Sequence, residues 1–326
     1  MSRRTALAGS VGLAAGLAAS APFLMPKYDK VRRPLRSRVA VLHAESYSER
    51  LDQILFDGLQ LFHLDVRGKS VLLKPNFVDY IHGSHINTDP VLVGAAAECL
   101  LRLGASRVTV AEGPGHQRDT QLVLLESGFA DQLQHRHIPF IDLNRDTLVK
   151  TRLRADYTGL HHLWLPRTIV DADVVVSMPK VKAHHWSGVT LSMKNMFGVV
   201  PGTKYGWPKN ILHWRGIEQS IVDICATVPI HFVIADAIVA MEGNGPLAGR
   251  PRPLSKIVLA DDAVAADATC ARLMGFIPGR IAHISETAKF LGNSSPELID
   301  QLGGPVTAPD TPFDVVREFE YLRAPK

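Results

Sequence analysis

The run Lys180-Val181-Lys182-Ala183-His184 sets three potential cations at alternate positions. In an extended segment alternate side chains share a face, so Lys180, Lys182 and His184 point the same way. Neighbouring cations repel one another unless an anion or carboxylates compensate them. Lysines hold phosphate or carboxylate groups as point charges, and histidine moves protons near neutral pH. These three residues form the candidate catalytic group. Lys74, Asn76, Lys194, Asn195 and Asn244 are the candidate ligand-binding residues. Glu112, Asp236 and Glu242 offer hard oxygen ligands for a divalent metal such as Mg²⁺ or Ca²⁺, or act as acid/base groups. Cys99, Cys225 and Cys270 are widely spaced with no CxxC pair, so neither an iron–sulfur cluster nor a structural zinc framework is expected. They read as small buried core residues.

These groups need elements to carry them. Short apolar, β-branched runs occupy Arg38–His43, Ser70–Lys74, Arg107–Ala111, Ile138–Leu143, Ala172–Ser177, His231–Ala235 and Lys256–Ala260. Helix-like runs occupy Ser48–Phe62, Pro90–Leu103, Thr120–Gly128, Gly216–Thr227 and Ala263–Met274. Strands apolar on both faces, alternating with amphipathic helices, imply an α/β fold: a largely parallel sheet covered on both sides. Val149–Pro166 reads as a β-excursion from that pattern. Five runs end in ionisable residues: Lys74, Glu112, Lys180, Asp236 and Asp261-Asp262. The carboxyl ends of parallel strands lie along one edge, where ligands bind. The expected site is therefore at that edge, with Lys180, Lys182, His184, Lys194, Asp236 and Glu242 converging on it. Thr190–Gly198 reads as a short helix closed by glycine, with Lys194 and Asn195 exposed near its end. The Gly-rich loop Met241–Pro246 would turn Glu242 and Asn244 towards Asp236. Trp186, Tyr205, Trp207, His213 and Trp214 crowd a Gly/Pro-broken segment that forms either a lid over the site or a packed surface loop.

The 326 residues are 46% hydrophobic and 21% charged, which excludes a disordered chain and a disulfide-stapled miniprotein. The net charge of +4 is unevenly spread: +2 over residues 1–26, +5 over 27–38 and −3 over 39–326. The body is mildly acidic, which argues against nucleic acid as a partner. Arg3-Arg4 precedes an uncharged Ala/Gly/Leu-rich run from Ala6 to Met25. That is the plan of a signal for the twin-arginine export machinery. Residues 1–26 are expected to be a signal peptide or a membrane anchor, and 27–38 a basic linker. Residues 39–326 are expected to form one α/β domain. The protein would then be exported, either periplasmic or anchored facing the periplasm, and would meet the membrane only through its N-terminal segment.

Lys74-Pro-Asn76, Thr88-Asp-Pro90, Pro179-Lys-Val-Lys182-Ala-His184, Lys194-Asn-Met-Phe-Gly198 and Glu242-Gly-Asn-Gly-Pro246 occur in this order along the chain. The series resembles the motifs of the family known as domain of unknown function 362, over most of residues 39–285. Ala183 departs from the Lys-Thr-His form of that family, while Lys182 and His184 remain. Many relatives carry ferredoxin-like cysteine clusters, which this chain lacks. The resemblance groups the site residues and implies no particular reaction. Two functional readings follow. One is an exported enzyme acting on a small phosphate- or carboxylate-bearing ligand with a divalent metal. The other is a non-catalytic accessory protein that binds a cofactor or metal.

Overall fold

The structure, a computed structural model, describes residues 33–48, 50–115 and 117–324. The expected signal or anchor, and the first part of the basic linker, lie outside the described residues. The remainder of that linker packs onto the body. Arg36 Nε and Nη2 both bind Asp300 Oδ1, at 2.9 and 2.7 Å, and the first strand already starts at Ser37.

Ten strands make one sheet. Eight lie on a continuous path: β12 (Ile299–Gly303), β1 (Ser37–His43), β11 (Ala248–Ala260), β10 (Phe232–Asn244), β7 (Val174–Met178), β2 (Ser70–Pro75), β3 (Arg107–Glu112) and β4 (Phe140–Asp142). β8 (Lys180–His184) pairs with β10, and β9 (Gly188–Thr190) pairs with β8. Only β11 and β9 run against the others, so the sheet is largely parallel and the fold is α/β. The β-excursion is an antiparallel pair apart from this sheet, β5 (Leu148–Arg152) with β6 (His162–Pro166).

Period-two alternation divides each central strand between two cores. Along β10, Phe232 and Ile234 face one core, Val233 and Ala235 the other. The helices Leu51–Gln60 and Pro90–Arg102 cover the first face, and Ile217–Thr227 and Ala263–Leu273 cover the second. With both faces covered, the five residues of β7 are all buried. That is why these strands read as unbroken apolar runs. The helix Pro90–Arg102 starts where its sequence dictates: Asp89 Oδ1 accepts from Val91 N at 2.9 Å, and Pro90 fills the first turn. All three cysteines are free and buried.

Two features differ from the sequence reading. β10 and β11 are each thirteen residues long and form an antiparallel ladder reaching Asn244↔Ala248. Met241–Asn244 is thus strand, not loop. Because β11 runs backwards, its end at Ala260 lies beside Val233 near the start of β10. Asp261 and Asp262 therefore sit at the opposite edge of the sheet from Lys74 and Glu112. There they are structural. Asp261 accepts from Arg38 N at 2.7 Å, and Asp262 caps the helix Ala263–Leu273.

Candidate functional site

Parallel register brings the ends of β2, β3 and β7 level. Lys74 lies opposite Ser177, and Glu112 ends the neighbouring strand. Lys74 and Glu112 form a buried ion pair. Glu112 also accepts from Phe77 N at 3.2 Å and Gly113 N at 2.8 Å. Lys74 Nζ further donates to Pro75 O and Asn195 Oδ1, at 2.9 and 3.2 Å. Burial pushes the Lys74 ammonium down and Glu112 pushes it back up. Asn195 Nδ2 donates to Lys74 O at 2.9 Å and Ser177 Oγ at 3.0 Å. Asn195 is thus buried and committed to holding the pair, not exposed as its helical position suggested. Gly198 lies against this pair with no room for a side chain: a Cβ there would meet Lys74 Nζ at 2.6 Å and overlap Glu112 Oε1.

β8 is extended, with Val181 and Ala183 in the core as the alternation requires. Its three basic residues nonetheless have different fates. Lys180 Nζ binds Asp236 Oδ2 at 2.6 Å, Tyr47 Oη at 2.8 Å and Val239 O at 3.2 Å. Tyr47 Oη donates in turn to Asp236 Oδ1 at 2.7 Å. Lys180 and Asp236 are buried in this network and Tyr47 is half-buried. Lys182, fully buried, donates to Ile86 O at 2.7 Å and has no carboxylate partner among the described residues. Desolvation first, then Lys180 and Lys194, hold its ammonium well below the usual lysine range. His184 Nδ1 accepts from Trp186 N at 3.0 Å, so its proton sits on Nε2 in the neutral ring. Burial, reinforced by Lys194, keeps the ring neutral.

A cavity of about 330 Å³ opens at this carboxyl edge. Lys182, His184, Lys194, Asn76, Asn195 and Glu112 line it, with Asn244 at the exposed rim. Asn76 Oδ1 is buried there with no hydrogen-bond partner among the described residues. Lys194 is the third residue of the helix Ser192–Asn195, whose start is held by Asp267 through Ser192 N at 2.7 Å and Met193 N at 3.1 Å. Desolvation lowers the Lys194 pKa to about 8. Lys209, missed in the sequence reading, completes the wall. It is buried and donates to Gly113 O at 3.0 Å and Phe197 O at 2.9 Å. Desolvation lowers its pKa to about 7. The one signal for it in the sequence is a basic residue inside the aromatic segment Tyr205–Trp214. That segment, expected to be either a lid or a packed surface loop, forms part of the cavity wall. Pro208, Lys209 and His213 line the cavity, and Trp186 stands against His213 with ring centroids 4.9 Å apart.

The six residues expected to converge do not all do so. Lys182, His184 and Lys194 share the cavity. Lys180 and Asp236 neutralise each other outside its lining. Glu242 binds Arg250 Nε at 2.9 Å and Asp314 N at 3.1 Å, and pins the C-terminal segment. Glu112, Asp236 and Glu242 thus face three different cations and form no common oxygen cage. Among the described residues no group of three or more His, Cys, Asp or Glu side chains is placed to hold a metal ion. The physical reason is the β10–β11 ladder, which fixes Glu242 opposite Arg250.

The family described as "Domain of unknown function (DUF362)" matches residues 71–272, more than half of the chain. This protein belongs to the DUF362 family. The match spans the cavity lining from Asn76 to Ala248 and leaves β1 and β12 outside. This DUF362 protein is 28% identical over 246 residues to the thylakoid-associated protein sll1697 of Synechocystis, covering 73% of each chain. Among solved structures it is similar to the lactate racemase apoprotein of Thermoanaerobacterium thermosaccharolyticum. That similarity has a TM-score of 0.42 at 11% identity and covers 64% of this chain and 51% of the other. A Thermotoga maritima protein gives a TM-score of 0.35 at 12% identity, covering 66% and 56%. The chain spans about half the length of these solved structures.

Proposed function

We propose that this DUF362 protein is an enzyme that takes a small carboxylate- or phosphate-bearing ligand into the cavity at the carboxyl edge. One observation carries the reading. Lys182, Lys194 and Lys209 line one cavity without an ion-pair partner among the described residues, while the single carboxylate in the lining, Glu112, is committed to Lys74. A buried cation without a counter-ion is unfavourable, and a bound anion relieves it. The neutral His184, with its proton on Nε2, is one group able to transfer a proton there. Asn76 Oδ1 is an acceptor ready for a ligand hydroxyl or amine.

The test uses inorganic sulfate, which does not titrate near neutral pH. Without ligand, Lys209 and Lys194 lose their protons near pH 7 and 8. A bound anion favours the charged forms and raises both pKa values, so binding takes up protons. Affinity should be greatest below pH 7 and fall about tenfold or more towards pH 9. Calorimetry in two buffers of different ionisation enthalpy should show proton uptake at pH 8. Absent or pH-independent binding would sink this reading.

We propose in addition that the chain is exported by the twin-arginine route to the periplasmic side. Its support is the Arg3-Arg4 pair ahead of the uncharged run Ala6–Met25. Replacing both arginines by lysine should retain the protein in the cytoplasm, as fractionation would show. Normal export of that variant would contradict the assignment.

A further inference from the structure

We propose that Lys194 is a nucleophilic amine that condenses with a carbonyl group of the ligand, so that the ligand class is a small oxo acid. The inference rests on the anion-binding reading for the acidic end of the ligand and adds the chemistry of the other end.

The five lysines around this edge separate by partner. Lys74 has Glu112 and Lys180 has Asp236. Lys182 has one backbone carbonyl and Lys209 has two. Among the described residues no acceptor lies within hydrogen-bond distance of Lys194 Nζ. Its close neighbour is the Phe197 ring, 4.4 Å from nitrogen to centroid. Lys194 is also the one of the five that is not fully buried, and it lines the cavity. Glu218 and Glu112 favour its charged form, but desolvation outweighs them, and an amine that is reachable and has no hydrogen-bonded carboxylate keeps its neutral form populated near neutral pH. Its mount is rigid. Asp267 holds the start of the helix, and the adjacent Asn195 is tied to Lys74 and Ser177. Lys182 remains in the same lining to receive the carboxylate.

The step balances. The Lys194 nitrogen lone pair forms a C–N bond to the carbonyl carbon as the C=O π-bond opens. One proton moves from nitrogen to oxygen, giving a carbinolamine. Its hydroxyl leaves as water with a proton taken from a cavity ammonium, for which Lys209, with its pKa near 7, is suited. The product is a protonated imine and a neutral Lys209, and hydrolysis reverses the sequence.

The probe is glyoxylate with sodium cyanoborohydride, which delivers hydride to the imine carbon and leaves a stable carboxymethyl group on the lysine nitrogen. Peptide mapping of the intact protein at pH 7.5 should find Lys194 modified at least about tenfold faster than the exposed Lys150. Sulfate should slow modification of Lys194 and leave Lys150 unaffected. In Lys194→Met the fast phase should vanish, with thermal unfolding checked to show that the variant is folded. The wild-type map stands alone if it is not. Uniform slow labelling in a protein that binds sulfate with the expected pH profile overturns the nucleophile and leaves the anion site standing. Fast labelling elsewhere in the cavity also overturns it. Loss of both sulfate binding and fast labelling overturns the two readings together.

Discussion

Replacing Asp236 by alanine is expected to lower the unfolding free energy by about 3–5 kcal/mol, against roughly 5–15 kcal/mol for a typical protein. The carboxylate is fully buried and serves four donors. Lys180 Nζ and Asp89 N bind one oxygen at 2.6 and 2.9 Å, and Tyr47 Oη and Ile238 N bind the other at 2.7 and 3.3 Å. Removing it strands a buried ammonium and loosens Asp89, the cap of the helix Pro90–Arg102. The double variant Asp236→Ala with Lys180→Met removes the stranded charge and should recover part of the loss. A cycle of four denaturation curves measures this coupling. Strict additivity of the two single changes would show that the pair is not a unit.

Gly198→Ala should be nearly as damaging, for a steric reason. The new methyl group would displace the Glu112 carboxylate and the Lys74 ammonium from their buried pairing. Overpacking of this kind costs about 1–3 kcal/mol, and a disturbed buried ion pair adds to it. Because Glu112 and Gly198 both line the cavity, sulfate affinity should fall together with stability. Gly115→Ala is the control. It lines the same cavity with nothing within 4 Å of an added Cβ. Equal stability losses in the two variants, read by denaturant titration, would contradict the packing argument.

Much of the frame was legible because burial on both faces writes itself as unbroken apolar runs, and helices as wider periods. β2, β3 and β7 and their covering helices follow that rule. Strand direction does not write itself. Nothing in Lys256–Ala260 distinguishes a parallel from an antiparallel neighbour, so the pattern alone points Asp261 and Asp262 to the wrong edge. The same reversal extended β10 through Glu242, which the glycines had suggested was loop. In the site, Lys182 and His184 were legible from alternation on β8. The fate of Lys180 was not, since its counter-ion Asp236 and the bridging Tyr47 come from distant segments. Lys209 was hidden for the opposite reason. It stands alone in sequence and gains its meaning from carbonyls of Gly113 and Phe197.

The placement of β1 also bears on when this chain can fold. It lies between β11 and β12, with Val39 opposite Ala260 and Ser37 opposite Ile299. A ribosome adding about 5–20 residues per second needs roughly 10–45 s between those first two positions. Until then β1 is an apolar strand with both edges open, the kind of template that other chains pair with. Completion of the sheet must therefore wait for Ile299–Gly303, and a message truncated before codon 299 yields a product whose first strand never acquires its second neighbour.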